Sequence, residues 1–152
     1  MSKSKLPNVG VGIMILKNNK VLLGKRHENP KKADSELHGE GTWTMPGGKL
    51  HYKEGLCEAA QREVLEETGV KINKNKLEIV SVTNDIVKDA HFVTIGFLYK
   101  KFPKEPRVME PDEITKWKWF NLNKPPSQIY FPSKKLLDNY LKSKGKHRIP
   151  TN

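Results

Sequence analysis

Cysteine, long apolar runs and acidic residues are all scarce in this chain of 152 residues. The single cysteine, Cys57, excludes an internal disulfide, so a reducing compartment is the default expectation. No apolar run approaches the length that spans a bilayer, and the first residues, MSKSKLPN, lack the apolar core of a signal peptide. We therefore expect a cytoplasmic protein with no membrane partner.

Acidic residues number 17 against 28 Lys and Arg, which gives a formal net charge of +11. Such an excess either attracts polyanions or serves solubility alone. The basic stretch 134–148, which leads into a C-terminal tail at about 143–152, lacks the interleaved arginine and aromatic residues of a nucleic-acid site. We expect no nucleic-acid partner, and the length and composition predict a single globular domain over 1–152.

Hydrophobic alternation and turn residues predict the order of the elements. The predicted order is a strand at 8–17, a strand at 20–26, a long polar loop at 27–41, a short strand at 42–46, a bend at Gly47-Gly48, a helix at 55–68, a hairpin of strands at 77–87 and 91–101, a proline-rich loop at 101–113, a strand at 116–121 and a helix at 133–144. Strands outnumber helices, and the helices lie between groups of strands. The predicted fold class is therefore α+β, with helices packed on a mixed sheet as in an α/β/α sandwich.

The scarce acid is concentrated in one stretch, GKLHYKEGLCEAAQREVLEETGV at 48–70. On a helical wheel that turns about 100° per residue, Glu63, Glu66 and Glu67 share an arc of about 100°. This arc overlaps the edge of the apolar stripe, which contains Leu56, Cys57, Ala60 and Val64. An ordinary solvated face would lie opposite that stripe.

Two of these acids also lie where a helix disfavours them. Glu66 and Glu67 occupy the last turn before Gly69, at the negative end of the helix dipole, which costs about 0.3–1 kcal/mol for each acid. Two interpretations stay open. The cluster binds a hard divalent cation such as Mg²⁺ or Mn²⁺, which oxygen ligands suit, or it is a solvated acidic face paired with Arg62 and scattered lysines.

The same stretch resembles the Nudix box: Gly48, five residues, Glu54, seven residues and then REVLEETGV at 62–70. With TWTMPGGKL at 42–50 and the strands on both sides, the chain is similar to the Nudix hydrolase family. The resemblance implies the Nudix fold, a mixed sheet in an α/β/α sandwich. It also implies cleavage of a nucleoside diphosphate linked to another group, by attack of water on phosphorus.

The resemblance further implies roles for single residues. The matches are Glu63, Glu66 and Glu67 to the metal-binding glutamates, Gly47 and Gly48 to the bend whose carbonyl helps to hold metal, and Arg62 and Glu54 to the pair that braces the catalytic loop and helix. Mg²⁺ or Mn²⁺ is the implied cofactor, and Glu67 and Glu63 are the candidates for the catalytic base. Glu110 lies in a loop where relatives of the MutT type place a further acid; the alternative is a plain surface glutamate.

Segments such as VGVGIMILKNNKVLLGKR and IYFPSKKLL look like the nucleotide-sanitising branch, which cleaves dNTPs or oxidised dNTPs to the monophosphate and pyrophosphate. Candidate substrate contacts are Gly48, Lys49, Thr94 and Asn84, with the last two on neighbouring strands near a base edge. Arg26 grips phosphate or forms a salt bridge at a strand end. Phe131 stacks on a base or packs in the core.

Two features depart from that branch: the loop 27–41 is long, and Lys49 and Lys53 stand where those relatives often carry His or Gly. ADP-ribose or another nucleotide sugar is therefore the main alternative substrate. An alternative of another class is a nucleotide- or RNA-binding protein without catalysis, with RNA decapping as its enzymatic variant, although the intact box argues against a pure binder. Many relatives are homodimers, which Trp117 and Trp119 permit if they are exposed.

Overall fold

The computed structural model describes residues 5–33 and 35–144. In chain order these residues form β1 (Asn8–Lys17), β2 (Lys20–Arg26), β3 (Trp43–Thr44), β4 (Gly47–Lys49), α1 (Leu56–Thr68), a 3-10 turn (Lys74–Lys76), β5 (Glu78–Val87), β6 (Ala90–Tyr99), β7 (Ile114–Asn121) and α2 (Phe131–Ser143). No helix in this part of the chain is both long and apolar enough to cross a bilayer. Most of the predicted basic tail, from residue 145 onward, lies outside the described residues.

Strand β1 is the centre of a mixed sheet. It pairs in parallel with β6 and antiparallel with β4, and β5 pairs with the far side of β6. The predicted hairpin of β1 and β2 has the right bounds, but the two strands pair only beside their turn, at Leu16↔Val21 and Lys17↔Lys20. Strand β2 then pairs with β7 and β3 instead. One part of the sheet consists of β4, β1, β6 and β5, and the other of β3, β2 and β7. The turn between β1 and β2 is where the two parts are paired.

Alternation along β1 separates two hydrophobic cores, because successive side chains point to opposite faces of a sheet. Residues such as Ile13 pack with Val64 of α1 on one face. Residues such as Met14 pack with Leu136 of α2 on the other. The helices thus cover opposite faces, which confirms the predicted α+β fold in an α/β/α arrangement.

The acidic helix α1 also follows its prediction closely. It begins after Gly55 and ends at Gly69, whose left-handed φ of 74° suits glycine and whose N–H donates to the carbonyl of Leu65. Glu63 and Glu67 are buried together with the apolar residues of the helix. The predicted overlap of the acidic arc with the apolar stripe is confirmed.

Two expectations are wrong. Gly47 and Gly48 do not form a bend; they begin β4 and pair with β1, so closely that a Cβ at Gly47 would collide with the carbonyl oxygen of Val11. Trp117 and Trp119 are not exposed, since both pack half-buried against the core on the α1 side.

Candidate active site

A cavity of about 590 Å³ crosses the strands β6, β1 and β4. Its wall includes the acidic end of α1, the start of α2 and part of the loop 27–41. Of the residues predicted for the site, it contains Arg26, Gly47, Gly48, Lys49, Arg62, Glu63, Glu66, Glu67, Thr94 and Glu110. The volume is typical of a pocket for a small molecule such as a nucleotide. Glu54, Asn84 and Phe131 are not among the lining residues.

Arg62 connects the acidic helix to the loop before it. Its guanidinium donates to both oxygens of Glu54, with Nε–Oε2 at 2.7 Å and Nη2–Oε1 at 2.9 Å, and also to the carbonyl of Lys49 at 3.0 Å. Its remaining nitrogen, Nη1, donates to Glu63 at 2.7 Å and to Glu66 at 3.3 Å. Every arm of the guanidinium is therefore occupied by the protein, which is the geometry of a brace.

The ion pair with Arg62 also sets the charge state of Glu54. Hydrogen bonds from Arg62 lower the pKa of Glu54 to about 2, and the N–H of His51 adds to the effect. The same hydrogen bonds raise the pKa of Arg62. Bidentate pairs of this kind fix orientation as well as charge. The loop between β4 and α1 is thus tied to the helix by two groups that both stay charged at neutral pH.

Glu67 and Glu63 lie against the glycines of β4. The N–H of Gly47 donates to Oε2 of Glu67 at 3.1 Å. A Cβ at Gly48 would collide with the carboxylate of Glu63, so the glycine is what lets this side chain approach the strand. Both contacts hold carboxylates at the sheet, where burial removes water from them.

That burial shifts both carboxyl groups in the same direction. Desolvation raises the pKa of Glu67 well above its usual value, and the neighbouring charge of Glu63 raises it further. Desolvation also raises the pKa of Glu63, although the hydrogen bond from Arg62 opposes the shift. Glu67 is therefore the more strongly perturbed of the two candidates for the base, and perturbed carboxyls in a cavity are typical of functional sites.

A second carboxylate group meets Glu67 from the loop before β7. Oxygen atoms of Glu67, Glu110 and Glu113 all lie within 4.8 Å of one another. Burial raises the pKa of Glu110, and the charge of Glu113 adds to the shift. The three acids carry oxygen donors only and repel one another, so they fit a hard divalent cation.

This cluster differs from the predicted metal set. Glu63 and Glu66 are held by Arg62, whereas Glu67 meets Glu110 and Glu113. The sequence pointed to Glu110 but missed Glu113. The signal was present in VMEPDE, since one turn carries both acids: the N–H of Glu113 donates to the carbonyl of Glu110 at 2.9 Å.

Arg26 is buried beside the loop 27–41 and makes no salt bridge within the described residues. Its guanidinium donates to the carbonyl of Ala33 at 2.9 Å and lies 4.6 Å above the ring of Tyr130. The Tyr130 hydroxyl contacts Oγ of Ser35 at 3.1 Å. Arg26 therefore anchors the long loop against the start of α2.

The other substrate candidates divide between the cavity and the surface. The ammonium of Lys49 pairs with Glu36 of the long loop at 3.0 Å, at the rim of the cavity. Thr94 lines the interior. Phe131 instead packs edge-to-face with the ring of Tyr130, with centroids 5.8 Å apart. Asn84 is exposed and contacts His91.

The chain is similar to known proteins over most of its length. The family model of the NUDIX domain matches residues 6–140. An ADP-ribose pyrophosphatase of Methanocaldococcus jannaschii is 31% identical over 91% of this chain and 76% of its own length. An 8-oxo-dGTP diphosphatase of Proteus vulgaris is 32% identical over 69% of this chain and 85% of its own. A crystal structure of a MutT NUDIX hydrolase from Burkholderia pseudomallei is 30% identical, with a TM-score of 0.78, over 89% of this chain and 98% of that one.

Proposed function

The chain belongs to the Nudix family and is a hydrolase of phosphoric anhydride bonds, and from this premise we propose that it cleaves a nucleoside triphosphate, unmodified or oxidised, to the monophosphate and pyrophosphate. The observation that carries the proposal is that one cavity contains both the cluster of Glu67, Glu110 and Glu113 and a narrow region lined by Gly10 and Gly12 of β1. The first suits a metal-bound polyphosphate and the second a planar base. The relative named 8-oxo-dGTP diphosphatase supports this substrate class.

The metal ligands in this proposal are Glu67, Glu110 and Glu113, with Glu63 and Glu66 beside them. A bound Mg²⁺ or Mn²⁺ supplies charge neutralisation of the polyphosphate and a more acidic bound water. Nudix hydrolases use divalent metals, and an all-oxygen acidic cluster is the donor set that Mg²⁺ prefers. The identity of the ion as Mg²⁺ is part of the proposal.

Glu67 is our candidate for the group that takes the proton from the attacking water. Its Oε2 accepts a hydrogen bond from the N–H of Gly47 and keeps a second lone pair for the metal, and Oε1 is the oxygen that accepts the proton in this proposal. The raised pKa of Glu67 favours proton uptake at this carboxylate over the better solvated acids nearby. Arg62 keeps the helix in register with the loop before it, and its arms are fully occupied by protein groups. Its proposed role is therefore positioning rather than phosphate binding.

ADP-ribose is the second candidate substrate, and one observation favours it. The relative named ADP-ribose pyrophosphatase matches 91% of this chain at 31% identity, a longer match than that of the 8-oxo-dGTP diphosphatase. Both substrates offer a pyrophosphate bond to the same acidic cluster, and they differ in what the rest of the cavity must hold.

The deciding experiment is a screen of unmodified and oxidised dNTPs, ADP-ribose, nucleotide sugars and capped RNA with Mg²⁺, with products separated by anion exchange. We expect a monophosphate and pyrophosphate from at least one triphosphate, with kcat/KM well above that for ADP-ribose. The Glu67→Gln variant is the control for contaminating activity. Release of AMP and ribose phosphate from ADP-ribose as the dominant reaction would contradict the proposal in favour of the alternative, and binding without turnover of any compound would favour a binding protein.

A further inference from the structure

A buried carboxylate beneath the cavity holds two threonine hydroxyls. Asp85 of β5 is fully buried, and its Oδ2 accepts hydrogen bonds from Oγ1 of Thr83 at 3.1 Å and Oγ1 of Thr94 at 2.5 Å. Its other oxygen, Oδ1, lies 3.0 Å from the ammonium of Lys135 on α2. Oδ2 is therefore hydrogen-bonded by both threonines, whereas Oδ1 makes an ion pair with Lys135 and no hydrogen bond within the described residues.

The two threonines differ in what they face. Thr94 lines the cavity, whereas Thr83 is buried and is not among the lining residues. A threonine hydroxyl has one hydrogen and two lone pairs, and a carboxylate can only accept. The hydrogen of Thr94 is therefore directed to Asp85, and the lone pairs of its oxygen are what it can offer to a ligand.

The position of Thr94 in the sheet is at the end of the cavity away from the acids. Thr94 pairs with Gly10 of β1, and Gly10 pairs with Lys49 of β4. Two strand spacings, about 10 Å, therefore separate Thr94 from β4, against whose glycines Glu63 and Glu67 of α1 lie. That distance matches the reach of a nucleotide from its phosphates to its base.

Two glycines of β1 form the floor beside Thr94, and Leu136 of α2 lies 3.7 Å from the Cβ position of Gly12. Gly10 and Gly12 line the cavity, and a Cβ built on Gly10 would lie 4.0 Å from Oγ1 of Thr94, while one built on Gly12 would lie 3.9 Å from its methyl group. The ring of Phe92 is 3.5 Å from the same position at Gly10. Side chains larger than glycine would fill this space, so the floor suits a flat ring that reaches Thr94 with its edge.

We infer that Thr94 is a fixed hydrogen-bond acceptor that selects a heterocyclic base with an N–H group at the edge facing it. Asp85 and Lys135 are positioning residues, because they set the direction of the Thr94 hydroxyl without touching the ligand. The inference rests on the proposed function and names the chemical group of the substrate that this cavity recognises. Loss of one such contact, with the half-buried acceptor left unpaired, is expected to weaken discrimination by about 10-fold.

The test compares Thr94→Val with Thr83→Val, a matched control that removes a hydroxyl from the same carboxylate but not from the cavity. The substrates are deoxynucleoside triphosphates of guanine, hypoxanthine, adenine and unsubstituted purine. Each pair differs in one N–H group. Guanine has a 2-amino group that hypoxanthine lacks, and adenine has a 6-amino group that purine lacks. Hypoxanthine has an N1 hydrogen, together with the neighbouring carbonyl, that purine lacks. For at least one pair we expect the wild type to prefer the base with the N–H group by a kcat/KM ratio of about 10 or more. This ratio should fall towards 1 in Thr94→Val and persist in Thr83→Val. It should return in Thr94→Ser, which keeps the hydroxyl.

Asp85→Asn provides the second variant, because a side-chain amide can donate to Oγ1 of Thr94 and release its hydrogen into the cavity. We expect the same base pair to lose its preference or to reverse it, with the change in KM rather than in kcat. A structural role alone would instead lower kcat/KM for all bases by one factor. Unchanged base ratios in both Thr94→Val and Asp85→Asn would overturn the inference while leaving the proposed hydrolysis intact.

Failure of the proposed function is separable from failure of this inference. If the wild type cleaves none of these triphosphates, the proposed function is wrong, and calorimetric titration with the four corresponding nucleoside monophosphates then tests Thr94 by binding alone. A Kd ratio of about 10 that collapses only in Thr94→Val and Asp85→Asn supports the inference. Equal Kd values for the four bases in the wild type overturn it.

Discussion

Replacing Glu67 by Gln should stabilise the metal-free protein while it lowers kcat. The substitution keeps the size of the side chain and an oxygen that can accept from the N–H of Gly47, and it removes one negative charge from a buried position. The carboxylates of Glu110 and Glu113 lie within 4.8 Å of that charge. At this separation each pair repels by about 1 kcal/mol in a water-like dielectric and by about 3.5 kcal/mol at an effective dielectric of 20.

The gain is limited by two opposing effects. The Gly47 hydrogen bond becomes neutral, which loses about 1 kcal/mol. The wild type also escapes part of the repulsion by keeping a proton on Glu67. We therefore expect a net stabilisation of at least about 1 kcal/mol at pH 8, which corresponds to a rise in Tm of about 2–4 °C or more for a chain of this size.

The stability difference between Glu67→Gln and the wild type should depend on pH. The pKa of Glu67 is raised in the folded state by burial and by the charge of Glu63. Below its unfolded pKa both states hold the proton, and as pH rises the unfolded state loses the proton first, so the wild type loses stability until the folded pKa is passed. The advantage of Glu67→Gln should therefore be near zero at pH 4 and grow towards pH 8.

The assay is thermal unfolding in a chelator at pH 4, 6 and 8, repeated with Mg²⁺. The matched control is Glu66→Gln on the same helix, because the Glu66 side chain is 50% exposed and pairs with Arg62. We expect no gain from the control, a smaller Mg²⁺ shift in Glu67→Gln than in the wild type, and a fall in kcat of at least about 10²-fold. Equal Tm changes in the two variants, or a Glu67→Gln advantage that does not vary with pH, would refute this account of the buried charge.

Three further predictions follow from the same geometry. Exhaustive chelation should abolish hydrolysis, and Mg²⁺ or Mn²⁺ should restore it; full activity in the chelator would contradict the metal site. Arg62→Ala should lower kcat more than it raises KM, with faster amide exchange in the loop before α1, whereas a tenfold rise in KM at unchanged kcat would indicate a lost phosphate contact. The ion pair with Arg62 lowers the pKa of Glu54 to about 2 in the folded protein. The stability that Glu54 contributes should therefore be complete above pH 5 and disappear as pH falls towards 2. Urea unfolding of Glu54→Gln and of the wild type at pH 7 and pH 3 will check this.

The sequence alone determined every strand and α-helix except β4, the family, and the unfavourable position of the acidic residues at the end of α1. Alternation, the Asn18-Asn19 turn and the terminating Gly69 act over a few residues, and such local signals can be read in order along the chain. The acidic arc at the edge of an apolar stripe was also local, because helix geometry fixes which side chains share a face. The spacing of the box then resembled one family, which the match over residues 6–140 bears out.

Only the tertiary structure decided which acids meet and what the cavity floor contains. Glu113 joins Glu67 through a loop more than forty residues away, and Asp85, Thr94 and Lys135 come from three elements whose contact no local pattern encodes. The glycines of β4 were misread as a bend, because a sequence does not reveal that a neighbouring strand lies too close for a side chain. The physical reason is the same in each case: contacts between distant residues depend on how the sheet and helices pack, and packing is a property of the whole fold.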